Sequence, residues 1–435
     1  MNLFDISLKF NGFPVKKANR VFNNINKLNN EDFIKYLEKQ KKDIVNYHLN
    51  NNLFYKSLAE KININDWSSI PILTKKDLQQ PINNRLSKGY TKKNCHVHKT
   101  SGSSGTPFIF AKDKFSHALT WSVFKNRFSW YNLNINTSKQ ARFYGIPLNK
   151  KGYYKERFKD TLANRFRFSV FDLSDNQLEK NLNKFKRTSF DYINGYTSSI
   201  VQFAKYLERK QIVLKSVCPS LKVCIVTSEM LYKIDKNLLE KQFGIPIVNE
   251  YGAAELGLIA FQNTLNQWLI NSTDLYVEIV DESGAILPYG NVGRVVITSL
   301  YNKAHPFIRY DLGDIGMLSK DSTLQKPILE KLIGRTNDIA ILPSGKKAAG
   351  LTFYYVTKTI IEDKSSVKEF IIEQLELDTF KVSYVSSEVL SKEKLKKIKA
   401  AFDKYLESNL TVKFERKEKL TRAKSGKLKQ FISHL

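Results

Sequence analysis

Apolar residues in the opening stretch of the chain recur at three- and four-residue intervals, the period of a helix with one buried face. The segment NEDFIKYLEKQKKDIVNYHLNNNLFYKSLAEK spaces Phe33, Tyr36, Leu37, Ile44 and Tyr47 in this way, so residues 1 to about 95 predict a helical lead-in. Within it, SIPILTKKDL offers Thr74 as the cap of a further helix. From about residue 96 to 300 the pattern changes to short apolar or β-branched runs, HVHKT, FIFAKD, SFDYIN, LKVCIVTS, IPIVNEYG, YVEIVD and GRVVITSL, separated by helical stretches. That alternation predicts an α/β fold in layers and argues against a bundle or a sandwich. The polar stretch GRTNDIAILPSGKK, residues 334–347, reads as a hinge. Beyond it TFYYVTKTIIED predicts a helix, VKEFIIEQLE and TFKVSYVSS two strands, SKEKLKKIKAAFDKYLESN a helix and LTVKFERKEKL a strand, before a basic tail. The expected division is a large multi-subdomain α/β domain over residues 1–335 and a small mobile α+β domain over residues 336–435.

Composition narrows this picture. A chain of 435 residues with 42% hydrophobic and 12% aromatic content is long and apolar enough for two folded cores. Its three cysteines, Cys95, Cys218 and Cys224, lack the CxxC spacing of a structural zinc site, so reduced thiols and no structural zinc are expected. The N-terminus has no cationic region leading into an apolar core, and no run of about 18 apolar residues occurs, so no membrane span and a cytoplasmic location are expected. The formal net charge of +28 is spread along the chain without a block of like charges. Nucleic acid is therefore not the expected partner, although the positive field would attract ATP and anionic carboxylates.

Four stretches carry candidate chemistry. In Thr100-Ser101-Gly102-Ser103-Ser104-Gly105-Thr106-Pro107, glycines allow a tight turn of N–H groups and hydroxyls can donate to phosphate oxygens; a Ser/Gly-rich surface hairpin is the plain alternative. It is not a P-loop, because no lysine follows and Pro107 leads into FIFAKD. In Glu250-Tyr251-Gly252-Ala253-Ala254-Glu255, a strand end delivers an aromatic ring, a small-residue turn and a carboxylate, a set that can stack a purine and hold a divalent cation. Tyr251 as core filler and Glu255 as a solvated helix start are the alternatives. In PFIRYDLGD, Asp314 offers two acceptor oxygens to ribose hydroxyls, with Arg335 as a further donor; a β-turn with a surface salt bridge reads equally well. In the tail, Lys427 follows Ser-Gly and can be projected as a point charge, or is simply solvated.

Taken in order, TSGSSGTP, INGYTSS, VTSEML, NEYGAAE, PFIRYDLGD, IGRTND and SGKLK resemble the adenylate-forming superfamily from about residue 70 onward. Within it the chain resembles the phenylacetate-CoA ligase branch, and the CapK-like proteins of capsule and other surface polysaccharide biosynthesis. The resemblance implies an AMP-forming acid ligase that uses ATP and Mg2+ to make an acyl-adenylate from a small-molecule carboxylate. The acyl group would then pass to CoA or to an amine or hydroxyl of a sugar precursor. It implies that Ser101, Ser103, Ser104, Gly105 and Thr106 grip the β- and γ-phosphates, that Tyr251 beside Gly252 packs on adenine, and that Glu255 positions magnesium. Asp314 and Arg335 would hold the ribose, and Lys427 would be the catalytic cation bridging carboxylate and α-phosphate. Tyr144, Gly145, Gly195 and Tyr196, in FYGIP and INGYTSS, match the family's acyl pocket, and Asn337 and Asp338 match its hinge.

The chain also departs from the family. LGLIAFQNTLNQWLINST has no Cys or His where many relatives carry a zinc site, which again implies no structural metal. Asn337 replaces the acidic or basic hinge residue that relatives often have, and the Arg of the C-terminal GK-x-x-R pattern is absent, with Lys429 the nearest cation. The competing class is a non-catalytic polyanion- or glycan-binding protein that keeps this fold, and the two readings separate on whether Lys427 matters.

Overall fold

The computed structural model describes residues 3–59, 62–100, 108–146, 150–335, 340–348, 367–422, 428 and 431–435. The chain divides into two units, one of residues 1–312 and 317–330, the other of residues 313–316 and 331–435.

The lead-in forms the helices α1 (Leu3–Phe10), α2 (Val15–Asn26), α3 (Asn30–Asn51), α4 (Leu53–Leu58) and α5 (Ile82–Arg85). Helix α3 begins where the Asn29 side chain accepts a hydrogen bond from the Asp32 N–H, and it buries Phe33, Leu37, Ile44 and Val45 along one stripe. The helix expected after Thr74 does not form. The Thr74 N–H donates to Asp77 and the Leu78 N–H to the Thr74 carbonyl, closing a turn that stops short of Pro81. One turn costs nucleation without the propagation that offsets it.

The core of the larger unit is a seven-stranded sheet of β3 (Gln140–Phe143), β4 (Arg165–Phe168), β5 (Tyr192–Tyr196), β6 (Val223–Thr227), β7 (Ile247–Ala253), β8 (Gly257–Gln262) and β9 (Trp268–Ile270), in spatial order β4-β3-β5-β6-β7-β8-β9. The first five strands in that order are parallel, and β8 and β9 return antiparallel. Parallel neighbours need long crossovers, which α7 (Lys150–Leu162), α8 (Asp175–Lys186), α9 (Thr197–Arg209), α10 (Leu214–Val217) and α11 (Lys233–Phe243) provide. Ser174 caps α8, accepting from the Gln177 N–H, and Gly244 ends α11 in the left-handed conformation with φ 65°.

The two faces of the sheet are packed differently. Phe168, Ala141, Phe143, Ile193, Cys224, Val226 and Ile247 point to one side, where they meet Phe185 of α8, Phe203 of α9 and Phe243 of α11 in a single apolar cluster. On the other side Tyr192, Val223, Ile225 and Val248 meet Ala18 and Phe22 of α2 and Leu119 and Val123 of α6 (Lys114–Ser129). A separate hairpin of β1 (His96–Lys99) and β2 (Ile109–Lys112) precedes α6. A second sheet follows, β10 (Leu275–Val280), β11 (Val292–Ser299), β12 (Tyr310–Leu318) and β13 (Leu329–Arg335), with adjacent strands paired in that order.

The smaller unit holds the short pair β14 (Ala340–Ile341) and β15 (Lys347–Ala348), then β16 (Val367–Gln374), β17 (Thr379–Ser386), α12 (Lys392–Tyr405), β18 (Thr411–Arg416) and β19 (Phe431–Ser433). Its four-stranded sheet runs β18-β17-β16-β19 and buries Phe370, Ile372, Phe380 and Val382 against Ile398 and Phe402 of the helix. The helix expected over TFYYVTKTIIED lies outside the described residues. Among the described residues no helix is long and apolar enough to cross a membrane, and the three cysteines are free thiols.

Candidate functional site

In open parallel sheets, ligands bind beyond the carboxyl ends of the strands, where crossovers leave a crevice. Four predicted acyl-pocket residues lie there. Tyr144 and Gly145 follow β3 directly, and Gly195 and Tyr196 end β5, the next strand over. The Tyr144 and Tyr196 rings pack 4.7 Å apart at 51°. Gly195 is required by the backbone: a Cβ there would sit 2.3 Å from the Phe143 carbonyl oxygen, on the neighbouring strand. The Gly145 carbonyl accepts a hydrogen bond from Arg167 Nη1 at 2.9 Å, which ties the loop after β3 to β4.

Along the same ends runs a strip of polar side chains on the face opposite the phenylalanine-rich cluster. Arg142 and Asn194 are register partners on β3 and β5, and Thr227 and Glu250 are register partners on β6 and β7. Asn194 is engaged, accepting from Gln140 Nε2 at 3.2 Å and donating to the Ile225 carbonyl at 3.2 Å. Arg142 stacks over the Tyr144 ring at 4.1 Å, and its Nε is buried without a hydrogen-bond partner. Burial pushes the Glu250 carboxyl up to about 7, with Thr227 and the Arg142 cation pulling the other way. Burial also raises the Tyr144 phenol and lifts Tyr196 to about 12, so both remain neutral hydrogen-bonding groups at physiological pH.

One strand further, NEYGAAE occupies the end of β7 and the turn into β8. Tyr251 is 9% exposed and meets the Trp268 ring edge-on at 6.1 Å. Glu255 sits in the hairpin turn and not at a helix start, and it is 6% exposed where a solvated role would leave it open. Tyr310 Oη donates to Glu255 Oε1 at 3.2 Å. Close by, Gly257 takes φ +90°, and a Cβ on it would come 2.7 Å from Thr120 and 3.1 Å from Lys112 Nζ. Lys112 is buried, donates to Thr120 Oγ1 at 3.2 Å and is lowered to about 8 by that burial, against the pull of Asp274, Glu255 and Asp113.

The Ser101–Thr106 stretch lies outside the described residues, but its two ends are held. The Thr100 N–H donates to the Phe108 carbonyl at 2.9 Å, and the Phe108 N–H donates to Thr100 Oγ1 at 3.0 Å. Arg85, 1% exposed, fixes β2 by donating from Nη2 to the Ile109 carbonyl at 2.9 Å, and its Nη1 lies 2.5 Å from His305 Nε2.

Asp314, 5% exposed, lies inside β12, so DLGD is strand and not a β-turn; its stretch belongs to the second unit. Arg335 is the last residue of β13. Lys427, Asn337 and Asp338 lie outside the described residues. Among the described residues no group of three or more His, Cys, Asp or Glu is arranged to hold a metal. The sequence reading did not assign roles to Arg142, Glu250, Lys112 and Tyr310. Glu250 and Tyr310 were inside quoted motifs, while Arg142 stands two residues before Tyr144 in a run whose alternation, ARFY, marks it as facing away from the core.

No family model matches the chain. It is 27% identical over 185 residues to a phenylacetate-coenzyme A ligase of Pseudomonas putida, 41% of this chain and 42% of that protein. It is 25% identical over 286 residues to a phenylacetate-coenzyme A ligase of Aromatoleum evansii, 64% of this chain and 62% of that protein. Each match thus spans less than two thirds of the relative's own length. Among solved structures, a 2-hydroxyisobutyryl-CoA ligase in the postadenylation state, in complex with R3-HIB-AMP, superposes with a TM-score of 0.67 at 15% identity, over 93% of this chain and 90% of that one. The two share a fold.

Proposed function

We propose that the chain is an AMP-forming carboxylate ligase, which activates a small-molecule acid with ATP as an acyl-adenylate and then passes the acyl group to an acceptor. The observation that carries this is the convergence of FYGIP, INGYTSS and NEYGAAE on the carboxyl ends of the parallel strands β3, β5 and, across β6, β7. Its similarity to phenylacetate-coenzyme A ligases supports the reading and makes CoA one candidate acceptor. An amine or hydroxyl of a sugar precursor, in surface polysaccharide biosynthesis, is the finer reading that the CapK resemblance suggests.

On this reading the acid lies at the strand ends beside Gly195, with Tyr144 and Tyr196 flanking it. Tyr251, set by Trp268, offers ring surface to adenine. The hydroxyls and N–H groups of Ser101, Ser103, Ser104, Gly105 and Thr106 hold the β- and γ-phosphates. Asp314 and Arg335 take the ribose. Glu255 fits a magnesium ligand, being a buried carboxylate oriented by the Tyr310 hydroxyl; the cation, when bound with ATP, neutralises phosphate charge. Lys427 stabilises charge at the α-phosphate as pyrophosphate departs, and the C-terminal domain expected over residues 336–435 acts as the lid that delivers it.

The test is carboxylate-dependent ATP–pyrophosphate exchange with magnesium, against a panel of aryl acids, amino acids and uronic acids. Lys427→Ala should lower exchange by about 100-fold or more, the scale of a single transition-state donor, while acyl transfer from a preformed acyl-adenylate survives. If no acid supports exchange, and the protein instead binds polyanions with an affinity that collapses with salt, the ligase reading fails in favour of a binding protein that keeps the fold.

A further inference from the structure

The front of the large sheet carries three arginines on adjacent strands, and they are treated differently. Arg165 Nε donates to Asp160 Oδ1 at 2.5 Å. Arg167 donates to both Asp160 oxygens at 3.0 Å, to Glu156 Oε2 at 3.0 Å and to the Gly145 carbonyl at 2.9 Å. Arg142 is the register partner of Arg167. Among the described residues its guanidinium has neither an ion-pair partner nor a hydrogen bond, and its Nε is shut off from water. Arg127 and Arg309 also carry a buried Nε without a partner, but each donates through Nη1, to Asn126 Oδ1 and to the Ile70 carbonyl, whereas Arg142 does not.

The neighbours do not supply the missing acceptor. The amides of Gln140 and Asn194 are spent on each other and on the Ile225 carbonyl. Glu250 lies on the same face, yet no ion pair within 4.0 Å joins it to Arg142. Its raised carboxyl also leaves it only partly charged near neutrality. The Arg142 Cζ lies over the Tyr144 ring, 4.1 Å from its centroid, so the ring covers the guanidinium on one side. Stacking of this kind occupies the π face and leaves the in-plane N–H edge free, and that edge is the part that matches a carboxylate in a two-pronged pair.

We infer that Arg142 selects the substrate by pairing with a second carboxylate, so that the acid activated here is a dicarboxylic acid. The inference rests on the proposal that the crevice beside Tyr144 and Gly195 is the acyl pocket. One carboxylate would lie at the reacting centre, and the other would reach back along the front face of β3 to the terminal Nη groups of Arg142. The strong positive balance of the chain, +28, favours arrival of a dianion for the same reason.

Two matched pairs of acids test this, glutarate against butyrate and isophthalate against benzoate, on the wild type, Arg142→Met and Arg142→Lys. Binding is read by calorimetry without ATP, and activation by pyrophosphate exchange. The wild type should prefer each diacid by about 10- to 100-fold, the scale of a charge-assisted hydrogen-bonded pair. In Arg142→Met that ratio should fall to near unity, and Arg142→Lys, which keeps the charge but not the fork, should keep part of it. A wild type that binds monoacids as well as diacids overturns the inference, as does an Arg142→Met protein that keeps the preference. Failure of the ligase reading would appear separately, as absence of exchange with every acid, and the calorimetric ratio would still decide the role of Arg142.

Discussion

The two faces of the seven-stranded sheet are built from alternate residues of the same strands, yet they do different work. Behind the sheet, Phe143, Phe168, Phe185, Phe190 and Phe203 are each at most 2% exposed and interlock ring on ring, with Phe168 and Phe185 stacked at 5.0-Å-scale spacing, 5.1 Å between centroids. In front, one residue out of phase, stand Gln140, Arg142, Asn194, Thr227 and Glu250. The rear face is packed almost wholly with apolar groups that water cannot reach, so its contribution is stability. The front face places charges and amides where their partners are few, which costs stability and creates recognition.

Substitutions should separate the two faces. The largest effect on folding is expected behind the sheet: Phe203→Ala removes a fully buried ring that touches Phe143, Phe185 and Phe243, at a cost of about 3–5 kcal/mol. Denaturant unfolding would measure it, and a loss below that of a surface substitution would mean that this cluster is not the structural core. Next comes Asp160→Asn, which leaves Arg167 short of its main acceptor. Because Arg165 is 22% exposed and can turn to water, the expected loss is about 2–4 kcal/mol, below that of a fully buried pair. Were it harmless, the contrast between a paired Arg167 and an unpaired Arg142 would lose its meaning.

The smallest effect depends on pH. Glu250 has a folded pKa raised to about 7 from 4.5, so between these values the folded state binds the extra proton and stability falls as pH rises. Glu250→Gln removes that dependence, so the variant should gain on the wild type between pH 5 and pH 8. Thermal melts should show the gain, about 1–3 kcal/mol for a half-buried carboxyl. Parallel pH profiles for the two proteins would contradict the burial of this group.

Much of the architecture was legible along the chain. Short apolar or β-branched runs located the strands β5, β6, β7, β10 and β11, and three-to-four spacing located α3, because burial imprints itself on near neighbours in the chain. NEYGAAE could also be read as a strand end followed by a small-residue turn, and that is where it lies, whereas the acyl-pocket set came only from the family resemblance. The turn after Thr74 was misread as a helix because a cap signal says how an element starts and not whether it is long enough to persist.

What the sequence determined by itself was therefore the kind and order of the elements, the alternation of apolar and polar positions on each strand, and the ordered motifs. Tertiary structure alone decided the strand order β4-β3-β5-β6-β7, and with it which polar residues share a front. It also decided that Arg167 pairs with Asp160 and Glu156 while Arg142, beside it, lies over a tyrosine ring with no close ion pair among the described residues. Periodicity is a property of neighbours in the chain, whereas the pairing of a charge depends on which distant segment folds against it.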